Sequence, residues 1–208
     1  KIFLQKDLKN PLSSQLNSLI KSEGINSSYV PVQKLNRLTP ANHQGAIATI
    51  SPITFHDLDT LVDKTVASGE TPLFILLDQV SDVRNFGAII RTAECTGAHG
   101  IIIPKKGGAP VSGATVKTSA GAAFRVPICK VDHLKDAIYY LQGSGITVCA
   151  ASEKAEGLVY DIDFKVPTAI VMGREDSGVS SGVLKIVDHK AKLPLMGDIA
   201  SLNVSVAC

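Results

Sequence analysis

The sequence has no tryptophan, and Phe, Tyr and Trp together make up only 5% of its 208 residues. So few rings argue against a base-stacking platform of the aromatic type, which needs several of them side by side. No apolar run approaches the roughly 20 residues that span a bilayer, and no signal peptide is visible. The four cysteines, Cys95, Cys129, Cys149 and Cys208, form no C-x-x-C pair. They are expected to be buried, reduced thiols in a cytoplasmic protein. The five histidines lack metal-ligand spacing, so no metal site is expected. Also missing are G-x-G-x-x-G, G-x-x-x-x-G-K-[ST] and G-x-S-x-G, which disfavours a dinucleotide-dependent oxidoreductase, a P-loop NTPase and an α/β-hydrolase. Gly143-Ser144-Gly145 precedes a strand-like run rather than following one, and reads as a helix-to-strand turn. The net charge is only +2, which permits an RNA partner without arguing for one.

What is present is apolar material in an alternating order. The chain is 45% hydrophobic and 19% charged, enough for a sizeable core. Residues 1–51 read as a small α/β unit: strands over Ile2–Gln5, Ser28–Val32 and Ala46–Ile50, and helices over Pro11–Glu23 and Val32–Leu38. Residues 52–72 read as a connector carrying a helix over Asp57–Ala67. Residues 73–208 alternate regularly. Strands are predicted at Leu73–Leu77, Gly100–Ile103, Val126–Val131, Ile146–Ala150, Thr168–Met172 and Ala191–Leu195. Helices are predicted at Asn85–Cys95, Ser112–Phe124, His133–Leu141, Val179–Val187 and Ser201–Cys208. Strands separated by helices of this length predict βαβ units and a parallel sheet. The sequence starts inside a strand-like run and stops inside a helix-like one, so the front unit and the last helix are expected to be truncated.

Three segments pass from an apolar strand into a small, polar loop and then a helix. They are Phe74–Asp78 leading to Asn85–Arg91, Val171–Gly178, and Leu193–Ser205. In an open α/β sheet, loops at the carboxyl ends of strands build the ligand site, so these three predict one polar pocket.

The same residues carry a family resemblance. Asn85-x-Gly87-x-x-x-Arg91, Val171-Met172-Gly173-x-Glu175-x-x-Gly178 and Leu193-Pro194-Leu195 through Ser201-Leu202-Asn203-Val204-Ser205 resemble, in order and spacing, the motifs of the SpoU-type members of the SPOUT class of RNA ribose 2′-O-methyltransferases. The front unit, with Asn42-His43-Gln44-Gly45, is similar to the L30e-like RNA substrate-binding domain of these enzymes. The chain is most like members that modify a guanosine of 23S ribosomal RNA; relatives with the same front domain act on transfer RNA or other ribosomal sites. The resemblance implies a parallel-sheet α/β domain with a C-terminal trefoil knot, S-adenosylmethionine as methyl donor, RNA as partner, and a homodimer with its active site near the interface. A noncatalytic RNA-binding protein on the same fold is the competing class.

The resemblance also implies roles. Gly173 is expected to let the backbone approach the cofactor, or simply to make a strand-to-helix turn. Leu193, Met196 and Leu202 would hold the adenine through backbone and apolar contacts. Arg91 is the expected catalytic residue; a guanidinium has no acceptor, so binding phosphate or stabilising a forming alkoxide is easier for it than removing a proton. Asn85 would bridge cofactor and catalytic regions, or cap a helix. Glu175 would accept hydrogen bonds that order the second motif or Arg91. It could also complement the dipole of the helix expected at Val179. Ser201 and Asn203 are assigned to the active site, and Ser205 stands beside them. Lys6, Lys9, Lys34, Arg37, Lys105, Lys106, Lys117 and Arg125 could meet phosphates or form a solvated face.

Overall fold

The computed structural model describes residues 1–6, 10–199 and 201–208; Lys9, named above, lies outside them. The chain divides into two compact units, Lys1–Ser51 and Pro52–Cys208.

The first unit runs β1 (Ile2–Gln5), α1 (Pro11–Ser22), β2 (Ser27–Val30), α2 (Val32–Leu38) and β3 (Ala46–Ala48). Its sheet has the order β2-β1-β3, with β1 parallel to β2 and antiparallel to β3. Asn10 and Ser13 start α1 with a reciprocal capping box, and Pro11 fills the first helical position, where no N–H is needed. The strand predicted over Ser28–Val32 stops at Val30. Pro31 has no N–H to extend it, and its φ of −61° leads straight into α2. Among the described residues, Leu4, Ile20, Val30 and Leu35 are its buried apolar side chains.

The second unit contains α3 (Leu58–Ala67), β4 (Leu73–Leu77), α4 (Val83–Cys95), β5 (Gly100–Pro104), α5 (Gly113–Thr118) and β6 (Ile128–Val131). It continues with α6 (Leu134–Gly143), β7 (Thr147–Ala151), β8 (Thr168–Met172), α7 (Ser181–Leu184), β9 (His189–Ala191) and α8 (Val204–Ala207). Its six strands lie in the order β6-β5-β4-β8-β7-β9, all parallel. Alternate side chains point to opposite faces, so each strand feeds two cores. Phe74, Leu76, Val148 and Val171 pack with Val62 of α3 and Ile138 and Leu141 of α6. Ile75, Leu77, Ile101 and Met172 pack with Phe86, Ile89 and Ile90 of α4, and α8 adds Val204 and Ala207 to that side. The result is a three-layer α/β/α unit. After β4 the chain moves outward through β5 and β6; from β7 it occupies the opposite side. The order therefore reverses between β4 and β8, the position where open α/β sheets hold ligands.

Several predicted elements are corrected. The helix expected from Asn85 begins at Val83, because Asp82 is its N-cap and accepts from the N–H groups of Arg84 (2.7 Å) and Asn85 (3.0 Å). The helix expected over Ser112–Phe124 ends at Thr118. Ala120 (φ 51°) and Gly121 (φ 84°) are left-handed, and only a 3-10 turn over Ala122–Phe124 follows. The strand expected from Val126 begins at Ile128, since the N–H of Val126 is used by Ala122 O and Pro127 has none. The helix expected over Val179–Val187 is a single turn, closed by tight bonds such as Ile186 N–H to Val183 O. The strand expected over Ala191–Leu195 is His189–Ala191; Lys192 turns to pair with Gly157 and Val159, and Pro194 cannot donate. Cys129 and Cys149 are buried, but Cys95 is exposed and Cys208 half-buried. Burial raises the thiols of Cys129 to about 12 and of Cys149 and Cys208 to about 11.

Candidate active site

The carboxyl ends of β7, β8 and β9 open onto a cleft of about 680 Å3. Its lining brings together Asn85 of α4, the 173–178 loop after β8, and much of the 193–204 segment after β9. All three loops singled out in the sequence thus meet at one place.

The β8 side is tightly built. A hairpin-like closure joins Arg174 and Gly178 through two backbone bonds (3.1 and 3.0 Å). A Cβ on Gly173 would overlap the backbone of Gly178 and Val179, so glycine is required there by the chain's own closure, with no ligand invoked. Asp78, buried at the end of β4, accepts the N–H of Ser180 at 2.7 Å and so ties this loop to the neighbouring strand. Glu175 reaches the N-terminal end of α4. It accepts from the N–H of Ser81 (3.3 Å), the N–H of Asp82 (3.1 Å) and Asn85 Nδ2 (3.2 Å). Burial pushes its carboxyl up. Bonds from its own N–H, Asn85, Asp82 and Ser81 outweigh this and hold it below the ordinary 4.5. Glu175 therefore orders the α4 end, and it makes no hydrogen bond to Arg91.

Asn85 sits in the first turn of α4, not at its cap. It touches both walls: Nδ2 donates to Glu175, and Oδ1 lies 3.5 Å from Ser205 Oγ, whose one hydrogen is turned to the nearer Asn203 Oδ1. Asn203 caps α8, its Oδ1 taking the N–H (2.9 Å) and hydroxyl (2.7 Å) of Ser205, which is why that helix starts at Val204 rather than Ser201. Ser201, Leu193, Leu202 and Asn203 line the cleft, whereas Met196 is 99% exposed and lies outside it.

Arg91 is exposed on α4, outside the cleft lining, and makes no hydrogen bond or ion pair among the described residues. Six residues from Asn85 is about 600° of helix, or ~120° away from Asn85's face. Among the other predicted cations, Lys105 pairs with Asp132 (2.8 Å) and Arg125 with Glu94 (3.2 Å). Lys6, Arg37, Lys106 and Lys117 are exposed, and the ammonium of Lys34 lies 5.8 Å from the Phe3 ring centre.

Leu158 and Lys192 of the lining went unassigned in the sequence, and so did two further contributors. One is Asp78. The other is the Ser152-Glu153 turn after β7, which lines the cleft. Its only sequence signal is position, since it directly follows an apolar strand run. Among the described residues no group of three or more His, Cys, Asp and Glu is placed to hold a metal ion, and no helix is long and apolar enough to cross a membrane.

Residues 72–208 match the SpoU rRNA Methylase family, and residues 1–56 match the family described as RNA 2′-O ribose methyltransferase substrate binding. The chain belongs to the SpoU rRNA methylase family and is an enzyme of the RNA methyltransferase class. It is 37% identical over 199 residues to an uncharacterized tRNA/rRNA methyltransferase of Archaeoglobus fulgidus, covering 96% of this chain and 83% of that one. It is 33% identical over 210 residues to the 23S rRNA (guanosine-2′-O-)-methyltransferase RlmB of Photobacterium profundum, covering 99% and 84%. A similar solved structure is the AdoMet-bound rRNA methyltransferase of Sinorhizobium meliloti, with a TM-score of 0.65 and 25% identity over 99% of this chain and 75% of that one.

Proposed function

We propose that this chain transfers a methyl group from S-adenosylmethionine to a ribose 2′-hydroxyl of RNA, and that the target is a guanosine of 23S ribosomal RNA. The observation that carries the reading is the meeting of the three motif loops around one cleft. Its volume of about 680 Å3 falls within the roughly 300–1,000 Å3 of small-molecule sites. Its lining suits a nucleoside joined to an amino acid: Leu158, Leu193 and Leu202 offer apolar contact, and Ser152, Glu153, Lys192 and Asn203 offer polar groups. The solved relative with AdoMet bound supports the donor, and the relative named as a 23S guanosine enzyme supports the target.

When bound, S-adenosylmethionine supplies a methyl on a sulfonium that leaves as a neutral thioether. The residues of this chain have the remaining tasks. Leu193, Leu202 and the backbone beside each of them would hold the adenine. The Gly173–Gly178 loop, braced by Asp78 and Glu175, fixes the wall against which the donor lies. Asn85 couples that wall to Ser205 and Asn203. Arg91 binds an RNA phosphate or steadies the charge growing on the 2′-oxygen. Its place outside its own cleft supports a homodimer in which the site is completed at the interface. Exposed Phe124 and Val206, on elements packed against α4, support the same reading. Residues 1–51 serve as the L30e-like RNA-binding domain. The return of the chain from β9, at the sheet edge, to α8 against α4 supports a knotted end. The enzyme acts in the cytoplasm, where its RNA is.

The test is to incubate unmodified ribosomal RNA with the protein and labelled S-adenosylmethionine, then map methylation by mass spectrometry. One new 2′-O-methyl guanosine in 23S RNA, lost in Arg91→Ala with its melting temperature unchanged, is expected. Label only in transfer RNA would overturn the substrate. No label and no donor binding would favour a noncatalytic RNA-binding protein.

A further inference from the structure

The cleft carries several carboxylates, and all but two are already engaged. Glu175 is held by Ser81, Asp82 and Asn85. Asp176 is paired with Arg174 at 2.9 Å and accepts from the Ser177 hydroxyl at 2.9 Å. Asp198 lies on the 193–202 segment, which among the described residues makes no hydrogen bond. Glu153 differs from all of these, because its backbone is fixed and, among the described residues, its charge is met only by a loose ion pair with the adjacent Lys154.

The turn after β7 fixes the backbone. The N–H of Ser152 donates to Ala191 O (2.9 Å), the N–H of Ala155 to Ser152 O (3.0 Å), and the N–H of Lys154 to Ser152 Oγ (3.3 Å). Both carboxylate oxygens of Glu153 lie 3.5 Å from where a Cβ on Gly178 would stand, so the group rests against the 173–178 loop. Its nearest cation is the adjacent Lys154, at a loose 3.9 Å and 69% exposed. The other cleft cations leave it alone: Arg174 is taken by Asp176, and Lys192 makes no ion pair among the described residues.

Resting on the reading of this cleft as the donor site, we propose that Glu153 is the counter-charge for the sulfonium of S-adenosylmethionine and sets the preference for donor over spent product. Donor and S-adenosylhomocysteine differ by one methyl and one positive charge. A fixed carboxylate beside the sulfur favours the charged form and is indifferent to the neutral one. Once the methyl has gone that attraction is absent, so the product is held less tightly than the donor. The side chain is 39% exposed, so water weakens the attraction and the effect is moderate.

The test is calorimetric titration of the full chain, Glu153→Gln and Asp198→Asn with each ligand, at low and raised salt, with circular dichroism melts as a check of folding. Glu153→Gln is expected to weaken S-adenosylmethionine about three- to tenfold and S-adenosylhomocysteine less than about twofold. Asp198→Asn leaves the ratio of the two affinities where it was. Raised salt narrows the wild-type preference towards that of Glu153→Gln. Equal weakening of both ligands, or of neither, would overturn the assignment of Glu153 while leaving the donor site standing. Wild-type protein that binds neither ligand would overturn the donor reading and this inference with it.

Discussion

The two walls of the cleft are built on different principles. The β8 wall is cross-braced: Gly173 closes on Gly178–Val179, Asp78 holds Ser180, and Glu175 accepts four hydrogen bonds from Ser81, Asp82 and Asn85 at the start of α4. The facing wall, residues 193–202, has no hydrogen bond among its described residues and exposes Met196 at 99% and Ile199 at 79%. The braced wall supplies geometry in advance, so ordering it costs a ligand nothing. The open wall has no such braces among its described residues, so contacts with a ligand would have to supply them, at a cost in affinity.

The largest test of this contrast is Gly173→Ala. The added methyl meets backbone rather than a side chain that could rotate away, so the loop must shift as a whole. A loss of about 3 kcal/mol or more in urea unfolding is expected, together with loss of donor binding. Near-normal stability would mean that the closure is not rigid and the contrast fails.

Glu175→Gln gives a smaller effect with a pH signature. The folded carboxyl lies below its ordinary 4.5. The stability it contributes is therefore fully present above 4.5 and is lost as pH falls through the lowered value. Wild-type stability should drop over that acid window more steeply than that of Glu175→Gln, whose amide does not titrate. Parallel pH profiles would show that the bonds to Ser81, Asp82 and Asn85 do not depend on charge.

Met196→Ser on the open wall should change stability by less than about 0.5 kcal/mol, since the side chain has no packing to lose. A cost as large as that of Gly173→Ala would place the braced element on the wrong side.

The same contrast explains what could be read in the sequence. Leu73–Leu77 and Thr168–Met172 were visible as strands because central parallel strands are apolar on both faces. The three motif loops were visible because each follows such a run. Glu153 was not, because Ser-Glu-Lys after a strand looks like any solvated turn until Gly178 is set beside it. Arg91 was visible as a motif residue, and its six-residue spacing from Asn85 puts it on a different face of α4, but the sequence does not say which of the two faces meets the cleft. The end of β9 and the start of α8 were illegible for a local reason: the bonds of Lys192 decide the first and Asn203 the second, and neither leaves a periodic trace.

The braces that shape the cleft also set when it can exist. Asn85 meets Glu175 across 90 positions of chain, Ser81 meets it across 94, Asp78 reaches Ser180 across 102, and Ser205 reaches Asn85 across 120. The entropic cost of such loops grows only slowly with length, but contacts this distant form late. During synthesis the N–H groups that open α4 are made long before their carboxylate, and the Asn85–Ser205 link waits for α8. The bonds of Glu175 and Asp78 can form before β9 is made, whereas the contact of Asn85 with Ser205 needs α8, so the cleft is completed only after the last strand of the sheet.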